Sequence, residues 1–165
     1  MNENLVADIL KRMIDFSNGN LHDITHFMKV WGFARTIGVL ENLSDEEQLI
    51  LEVAAITHDI GCPICREKYG NTNGELQEKE GARIVVDFLR ESGLSQSQTE
   101  RVSYLVGHHH TLNGVNGSDY RILLEADYIV NAEECGFLAE NIRNARAHIF
   151  RTKAGTSLLN SIFCL

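Results

Sequence analysis

The chain has 165 residues, is 44% hydrophobic, contains a single proline and carries a formal net charge of −8 at pH 7. This apolar content excludes an intrinsically disordered chain, and the length suffices for one domain with its own core. The acidic balance excludes the basic footprint that a nucleic acid polymer or an anionic membrane requires, so composition favours a small ligand.

The first forty residues predict two helices separated by an Asn-Gly-Asn turn at 18–20. Residues 4–17 have an amphipathic pattern that stops at this turn. The second helix, from about residue 22 to 37, has an apolar stripe at helical spacing, so it should face the core. His22 and His26 lie four residues apart and therefore share one face. The stripe consists of Phe27, Val30, Trp31, Ala34 and Ile37.

The third predicted helix, residues 44–60, leads into a His-Asp pair. Ser44 and Glu47 have the spacing of a capping box, which places the helix start directly after the serine. At the other end, His58 and Asp59 follow a short apolar run. Burying an imidazole and a carboxylate is costly unless each has a partner, and one divalent cation would satisfy both.

Helix-breaking residues follow the pair immediately. Successive helical side chains diverge by about 100°, so both members of the pair reach one ion only where the chain changes direction. Gly61 and Pro63 supply this break. Residues 61–74 are polar and rich in glycine and asparagine, so we predict a long charged loop that contacts substrate. The side chains that could close over an anion there are Arg66, Lys68 and Tyr69.

The four cysteines are predicted to be free thiols. The sequence begins Met-Asn-Glu-Asn, without the basic and apolar regions of a secretion signal, so we expect a cytoplasmic protein. Cys62 and Cys65 have C-x-x-C spacing, but a structural zinc would need a second pair, and Cys135 and Cys164 stand alone. We therefore favour thiols that pack or shape the loop.

Four further helices are predicted, and two of them direct ionisable groups toward the core. The register of the helix that starts at Ser95 or Ser97 places His109 inside, His110 at the margin and His108 toward water. Asp127 shares an apolar stripe with leucines on the next helix. Three of these helices cover residues 75–92, 120–134 and 137–150, and the fourth starts at Ser95 or Ser97 and has Val102, Leu105 and Val106 on its buried side.

Together the patterns predict an all-α fold in which residues 1–165 form a single domain of five to seven helices. The sequence shows neither an alternating strand pattern nor an internal repeat. It also lacks an apolar run near the roughly 18 residues of a membrane span, so no membrane partner is expected. An apolar tail either covers the core or forms a homodimer contact. It comprises Leu158, Leu159, Ile162 and Phe163.

Four donor residues on three predicted helices are candidates for one metal site: His26, His58, Asp59 and Asp127. Two imidazoles and two carboxylates suit Mn, Fe, Co, Ni or Zn and leave positions open for water and substrate. The alternative is a helical interaction protein in which these groups are separately satisfied by hydrogen bonds. The His-Asp pair combined with Asp127 favours the metal site.

These donors and their order resemble the HD superfamily of metal-dependent phosphohydrolases, whose pattern is a histidine, a His-Asp pair and a distant aspartate. The pair follows a small apolar helix as Ala-Ala-Ile-Thr-His-Asp-Ile-Gly, and the aspartate stands in an Ala-Asp-Tyr context. The match covers residues 22–134 and leaves 135–165 as a C-terminal helical extension. It implies an HD-like helical domain in which the four donors are metal ligands.

The resemblance also implies roles for groups around the metal. Lys29, three residues after the first histidine, lies where the family often has a basic residue, which could hold a phosphate as a point charge. His109 and His110 match the region where relatives place histidines for a second metal or for the phosphate.

Relatives with two metals usually add a histidine on the helix that begins near residue 75. The corresponding segment here, residues 75–81, contains none, although Glu78 or Glu80 could substitute as a carboxylate ligand. We therefore predict one ion and leave a second site near His109 open.

The resemblance and the donors together predict hydrolysis of a phosphate ester by metal-activated water, with a nucleotide or another small phosphorylated metabolite as substrate. The alternative is a regulatory or sensor HD module that holds a nucleotide without turnover. The catalytic candidates are Asp59, Lys29, His109 and His110. The substrate-binding candidates are Lys29, Arg66, Lys68 and Tyr69.

Overall fold

Helices account for the regular structure of this protein. The computed structural model describes residues 3–165, and over this range it has nine helices and no strand. They are α1 (Glu3–Phe16), α2 (Leu21–Leu40), α3 (Asp45–Thr57), α4 (Cys62–Tyr69), α5 (Gly74–Leu89), α6 (Gln96–Val106), α7 (Ser118–Glu134), α8 (Ala139–His148) and α9 (Lys153–Phe163). The predicted all-α fold is confirmed, and α4 and α9 are the helices beyond the expected five to seven.

The centre of the fold is α3. Every residue from Leu49 to Thr57 is buried, and the helix packs against α2, α6 and α7. Its buried acid, Glu52, accepts hydrogen bonds from Trp31 Nε1 at 2.9 Å and from Arg35 Nη1 at 2.8 Å on α2. The His-Asp pair follows α3 directly, so it lies where α2, α3 and α7 meet.

The predicted loop over residues 61–74 was wrong, because it contains α4. Pro63 lies in the first turn, where a helix tolerates its fixed φ and missing N–H group. Two of the polar side chains that suggested a loop contact a carboxylate on α5. Lys68 Nζ lies 3.3 Å and Tyr69 OH 2.9 Å from Glu80 Oε1.

A close backbone approach fixes the turn between α3 and α4. A Cβ atom at Gly61 would lie 2.8 Å from the Gln77 backbone oxygen and 2.9 Å from the Gly81 nitrogen. Only glycine leaves room for this contact. The turn that carries the His-Asp pair therefore rests directly on α5.

The C-terminal helix α9 covers the core. Leu159 is fully buried and Leu158 and Phe163 pack against the core, whereas Ile162 is 39% exposed. Of the two interpretations of this apolar tail, core coverage is the one the contacts support. A homodimer stays a prediction.

One stretch of the described chain, Asp45–Tyr69, is long and apolar enough to cross a membrane by length and composition alone. It comprises α3, the following turn and α4. Within the fold, 78% of its most apolar window is buried, so core packing accounts for its composition.

Candidate metal centre

Four side chains from α2, the turn after α3 and α7 converge at one point. His26 Nε2 lies 3.2 Å from His58 Nε2, 3.2 Å from Asp127 Oδ1 and 3.4 Å from Asp59 Oδ2. His58 Nε2 lies 3.5 Å from the same two carboxylate oxygens. The structure therefore brings together the four residues that the sequence suggests as metal ligands.

The other ring nitrogen of each imidazole is engaged outside this cluster. His58 Nδ1 lies 2.8 Å from the carbonyl oxygen of Ala55, which can only accept a hydrogen bond. His26 Nδ1 lies 2.8 Å from Glu134 Oε2. In the neutral rings, both Nε2 atoms then present lone pairs to the cluster. Metal-ligating histidines have this tautomer and orientation.

Two buried polar atoms at the centre lack a hydrogen bond. Asp127 Oδ1 lies within ion-pair distance of His26 and His58, but no contact has hydrogen-bond geometry. His109 Nε2 likewise lies within ion-pair distance of Asp59 but has no hydrogen bond. Leaving a buried polar atom unsatisfied costs about 1–3 kcal/mol. A divalent cation would satisfy the carboxylate oxygens and the imidazole lone pairs together, so this donor set fits a transition metal.

The electrostatics of the cluster favour positive charge at its centre. Burial lowers the pKa of His26, but its contacts with Asp127 and Asp59 outweigh burial and raise the pKa to about 9. The two carboxylates raise the pKa of His58 in the same way, against its burial. Burial opposes the ionisation of both acids, yet the imidazoles hold the pKa of each well below its usual value. The field that attracts protons would equally attract a divalent cation.

A second group of donors adjoins the first. Asp59 Oδ1 lies 3.3 Å from His109 Nε2, while Asp59 Oδ2 faces the first cluster. His109 is buried, and its Nδ1 lies 2.7 Å from the carbonyl oxygen of Val106. One ligand atom from each of Asp59, His109 and His110 lies within 4.8 Å of the others. A second ion near His109 stays a prediction, and these three donors support it.

His110 completes the edge of this second group. Its Nε2 lies 3.0 Å from Gln77 Oε1, and burial together with the neighbouring His109 lowers its pKa to about 4, which keeps the ring neutral. The two glutamates considered as substitute ligands are engaged elsewhere. Glu78 accepts a hydrogen bond from the His110 backbone N–H at 2.9 Å, and Glu80 is held by side chains from α4 and α5.

The helical register ordered the three consecutive histidines only in part. His109 is buried and His110 is exposed at the margin, as expected. His108 does turn away from the centre, but it is half-buried rather than open to water. Its ring stacks on Tyr104, one turn earlier on α6, with 4.1 Å between the ring centroids.

A polar cavity of about 480 Å³ opens over the cluster and is lined in part by His26, Asp59 and Asp127. Of the predicted substrate-binding residues, Arg66 lines this cavity. Its guanidinium is ion-paired with Asp23, which also lines the cavity. The cationic group is therefore present at the site but is held by a carboxylate.

The other substrate-binding candidates, Lys29, Lys68 and Tyr69, do not line the polar cavity, and each contacts a carboxylate. Lys29 Nζ lies 2.8 Å from both Glu133 Oε2 and Glu134 Oε1. Burial lowers the pKa of Lys29, but the contacts with the two glutamates together outweigh it and raise the pKa above its usual value. Lys68 and Tyr69 point to Glu80, as described above. Contact of these three side chains with substrate stays a prediction.

Glu134 was not among the site residues predicted from the sequence. This half-buried carboxylate contacts the His26 ring and the Lys29 ammonium, each at 2.8 Å. A signal was present, because Glu134 follows Asp127 by seven residues, which is two helical turns on one face of α7. A second carboxylate on the face that carries a proposed ligand is a candidate for orienting that site.

The cysteine pair beside the centre is not arranged as a metal or redox site. Cys62 and Cys65 are buried free thiols on α4, and burial raises the pKa of both, which keeps them protonated. Cys135 and Cys164 are exposed free thiols. These observations support the interpretation of Cys62 and Cys65 as packing residues.

Comparison with known proteins identifies the family. The family model described as HD domain matches residues 23–133, which include all four proposed metal ligands. The crystal structure of a predicted HD superfamily hydrolase from an uncultured Thermotogales bacterium is similar, with 21% identity and a TM-score of 0.68. The alignment covers 99% of this chain and 86% of that one, so the two share a fold. The comparison with curated proteins gave no match. The chain belongs to the HD domain family.

Proposed function

We propose that this protein is a metal-dependent hydrolase of phosphate esters, acting on a nucleotide or another small phosphorylated metabolite. The observation that carries the proposal is the convergence of His26, His58, Asp59 and Asp127 beside a polar cavity. Membership of the HD domain family supports hydrolysis. The net charge of −8 supports a small substrate rather than a nucleic acid polymer, and we propose that the protein acts in the cytoplasm.

The four converging residues would hold one divalent transition metal ion: Mn, Fe, Co, Ni or Zn. When bound, the ion would lower the pKa of a water molecule and neutralise charge on a phosphoryl oxygen. Asp59 has a double role, because Oδ2 belongs to the group of four converging donors and Oδ1 lies 3.3 Å from His109 Nε2. This carboxylate therefore links the proposed metal ligands to His109.

We propose His109 as the general base. Its Nδ1 donates to the carbonyl oxygen of Val106, so Nε2 can accept a proton from the attacking water. The Asp59 carboxylate would stabilise the imidazolium that results. His110 donates its Nε2 proton to Gln77 Oε1 at the cavity edge, so Nδ1 of the neutral ring can accept a hydrogen bond from a bound water or a substrate hydroxyl group.

Arg66 is the residue best placed to bind the phosphate of a substrate, because its side chain already lines the cavity. Its ion pair with Asp23 fixes the guanidinium in position. Lys29 would have to leave two carboxylates to reach a phosphate, and Lys68 and Tyr69 would have to leave Glu80.

A metal-loading and turnover experiment tests this function. Protein purified without a histidine tag would be loaded with each candidate metal and assayed against a panel of phosphate esters. We expect turnover with at least one metal, and a loss of about a hundredfold or more in Asp59→Ala. The surface variant Asp15→Asn, whose side chain is 63% exposed, is the control and should keep full activity.

Two other outcomes would each favour a different function. Saturable nucleotide binding by the metal-loaded protein without turnover would favour the sensor module. Failure to retain any metal would favour a helical interaction protein in which the histidines are core residues satisfied by hydrogen bonds.

A further inference from the structure

A second cavity, of about 370 Å³, adjoins the polar cavity of the metal centre. The two cavities share part of their lining, namely His110, Asp127, Asn131 and Cys135. The second cavity therefore lies directly beside the metal centre, within the span of a ligand whose phosphate is held there. The rest of the second lining is largely apolar: Leu112, Leu124, Tyr128, Phe137 and Ile149, together with His109.

The polar cavity offers little free positive charge for a large anion. Among its described lining residues, the guanidinium of Arg66 is already paired with Asp23. The nearby Lys29 is paired with two glutamates. A cation at the metal centre would balance the charges of Asp59 and Asp127. Affinity for the part of a substrate beyond its phosphoryl group must then come largely from other contacts.

The second cavity has the chemistry to supply those contacts. Leu112 is 53% exposed and Phe137 is 37% exposed, so both present apolar surface to solvent at the rim. The ring of Tyr128, which also lines the cavity, lies 5.8 Å from the ring of Phe137 at a tilt of 54°. Two aromatic rings and three aliphatic side chains are suited to a planar ring, which would bury this exposed surface.

We propose that the second cavity binds a planar aromatic group of the substrate while the phosphate lies at the metal centre. The substrates are then phosphate esters that carry an aromatic ring system, such as a nucleobase, rather than sugar phosphates or other fully polar esters. This inference rests on the proposed hydrolysis of phosphate esters and specifies its substrate class.

Two phosphonates that resist hydrolysis test the inference by calorimetry on the metal-loaded protein. 1-Naphthylphosphonate carries an aromatic ring, and methylphosphonate has the same anionic group without it. We expect the naphthyl compound to bind about tenfold tighter or more. The double variant Leu112→Ser, Phe137→Ser should lose most of this advantage and keep its affinity for methylphosphonate within about twofold.

Leu138→Ser is the matched control. Leu138 follows Phe137 directly and is 71% exposed, but it does not line the cavity. This variant should retain the naphthyl preference, and circular dichroism with thermal melting would verify that all variants are folded. If the double variant failed to fold, the single variant Leu112→Ser would replace it.

The outcomes separate the two proposals. Equal affinity for both phosphonates in the wild-type protein, or an undiminished naphthyl preference in the folded cavity variants, would overturn the aromatic site and leave the phosphatase proposal standing. Failure of the metal-loaded protein to bind either phosphonate would count against the phosphate-ester function and would remove the inference with it.

Discussion

At the scale of single residues, Glu134 is the side chain on which the geometry of His26 depends. Its two oxygens contact the His26 Nδ1 atom and the Lys29 ammonium, each at 2.8 Å. A carboxylate that accepts a hydrogen bond from the Nδ1–H group fixes the tautomer of a ligating histidine and makes Nε2 a more basic metal ligand. Lys29 in turn fixes the carboxylate, so it acts as a positioning residue in this arrangement.

Replacement of Glu134 should weaken metal binding. We expect Glu134→Ala to lower metal affinity by about 10–100-fold, because the His26 ring loses the acceptor that orients it. Glu134→Gln keeps one acceptor oxygen and should lose less. Competition with a chromophoric chelator would measure these affinities without reference to activity.

Glu133→Gln is the matched control for this prediction. Glu133 also contacts Lys29, but its side chain is 59% exposed and it has no contact with His26 in the described structure. Equal metal affinities in Glu134→Ala and Glu133→Gln would show that Glu134 does not position the ligand.

Residue patterns pointed to the four converging side chains, because each stands on an apolar stripe or directly beside one. The pairs Arg66 with Asp23 and Lys29 with Glu134 could not be found this way. Their members are far apart along the chain and meet only when helices pack. The sequence therefore indicated which groups carry charge at the site, but it could not indicate that these charges neutralise one another.

At the scale of the elements, the turn between α3 and α4 is held against α5 by the absence of a side chain at Gly61. Gly61→Ala should destabilise the protein by about 1–3 kcal/mol, because the new Cβ meets backbone atoms that cannot move independently. It should also weaken metal binding, since the turn carries His58 and Asp59. Chemical denaturation and chelator competition would measure the two effects.

Gly32→Ala provides the comparison for Gly61→Ala. Gly32 is exposed on α2, and a Cβ there would meet nothing within 4 Å. We expect this variant to be neutral or more stable by up to about 1 kcal/mol, as for alanine over glycine in a helix. Similar destabilisation in both variants would contradict the role given to the close approach at Gly61.

The helix α4 shows why the local interpretation of residues 61–74 failed. A proline after the His-Asp pair and a polar composition are typical of a loop, but proline is compatible with the first helical turn. Burial of Cys62 and Cys65 and the contacts of Lys68 and Tyr69 with α5 stabilise the helix. These contacts are tertiary, so periodicity over eight residues could not reveal them.

The buried carboxylate Glu125 joins α7 to the start of α9. It accepts hydrogen bonds from the backbone N–H groups of Arg151 at 2.7 Å and Thr152 at 3.0 Å. Burial raises the pKa of Glu125 despite these bonds. The folded state therefore binds this proton more tightly than the unfolded chain does, so this group's contribution to stability falls as pH rises through the raised pKa.

Comparison with Glu125→Gln should isolate this pH dependence. The free energy of unfolding of the wild-type protein, minus that of the variant, should decrease as pH rises from about 4 to 7. Urea denaturation at several pH values would measure both unfolding free energies. Subtracting one from the other removes the contribution of the other acids, which titrate alike in the two proteins. A difference that is constant or increases with pH would contradict the assignment.

At the scale of the whole molecule, packing of α2, α3 and α7 brings distant donors to one point. The all-α fold and single-domain architecture follow from helical periodicity, and the structure confirms them. The precise convergence of His26, His58, Asp59 and Asp127 required the three-dimensional packing. A metal site built from separate helices should couple to global stability, because the unfolded chain cannot assemble its ligands.

Metal binding should therefore stabilise the folded protein. At a free metal concentration of about 100 times the Kd, we expect a gain of about 2.7 kcal/mol in unfolding free energy and a higher Tm. Chelation should reverse the gain, and Asp127→Asn should show a smaller shift than the wild-type protein. A Tm that does not respond to any of the five metals would contradict the proposed site.

The most direct test of the central claim is an anomalous difference map from crystals grown with manganese or zinc. We predict a peak within coordinating distance of His26 Nε2, His58 Nε2 and one oxygen each of Asp59 and Asp127. Absence of a peak there at a metal concentration that saturates the protein in solution, or a peak held by other residues, would contradict the account.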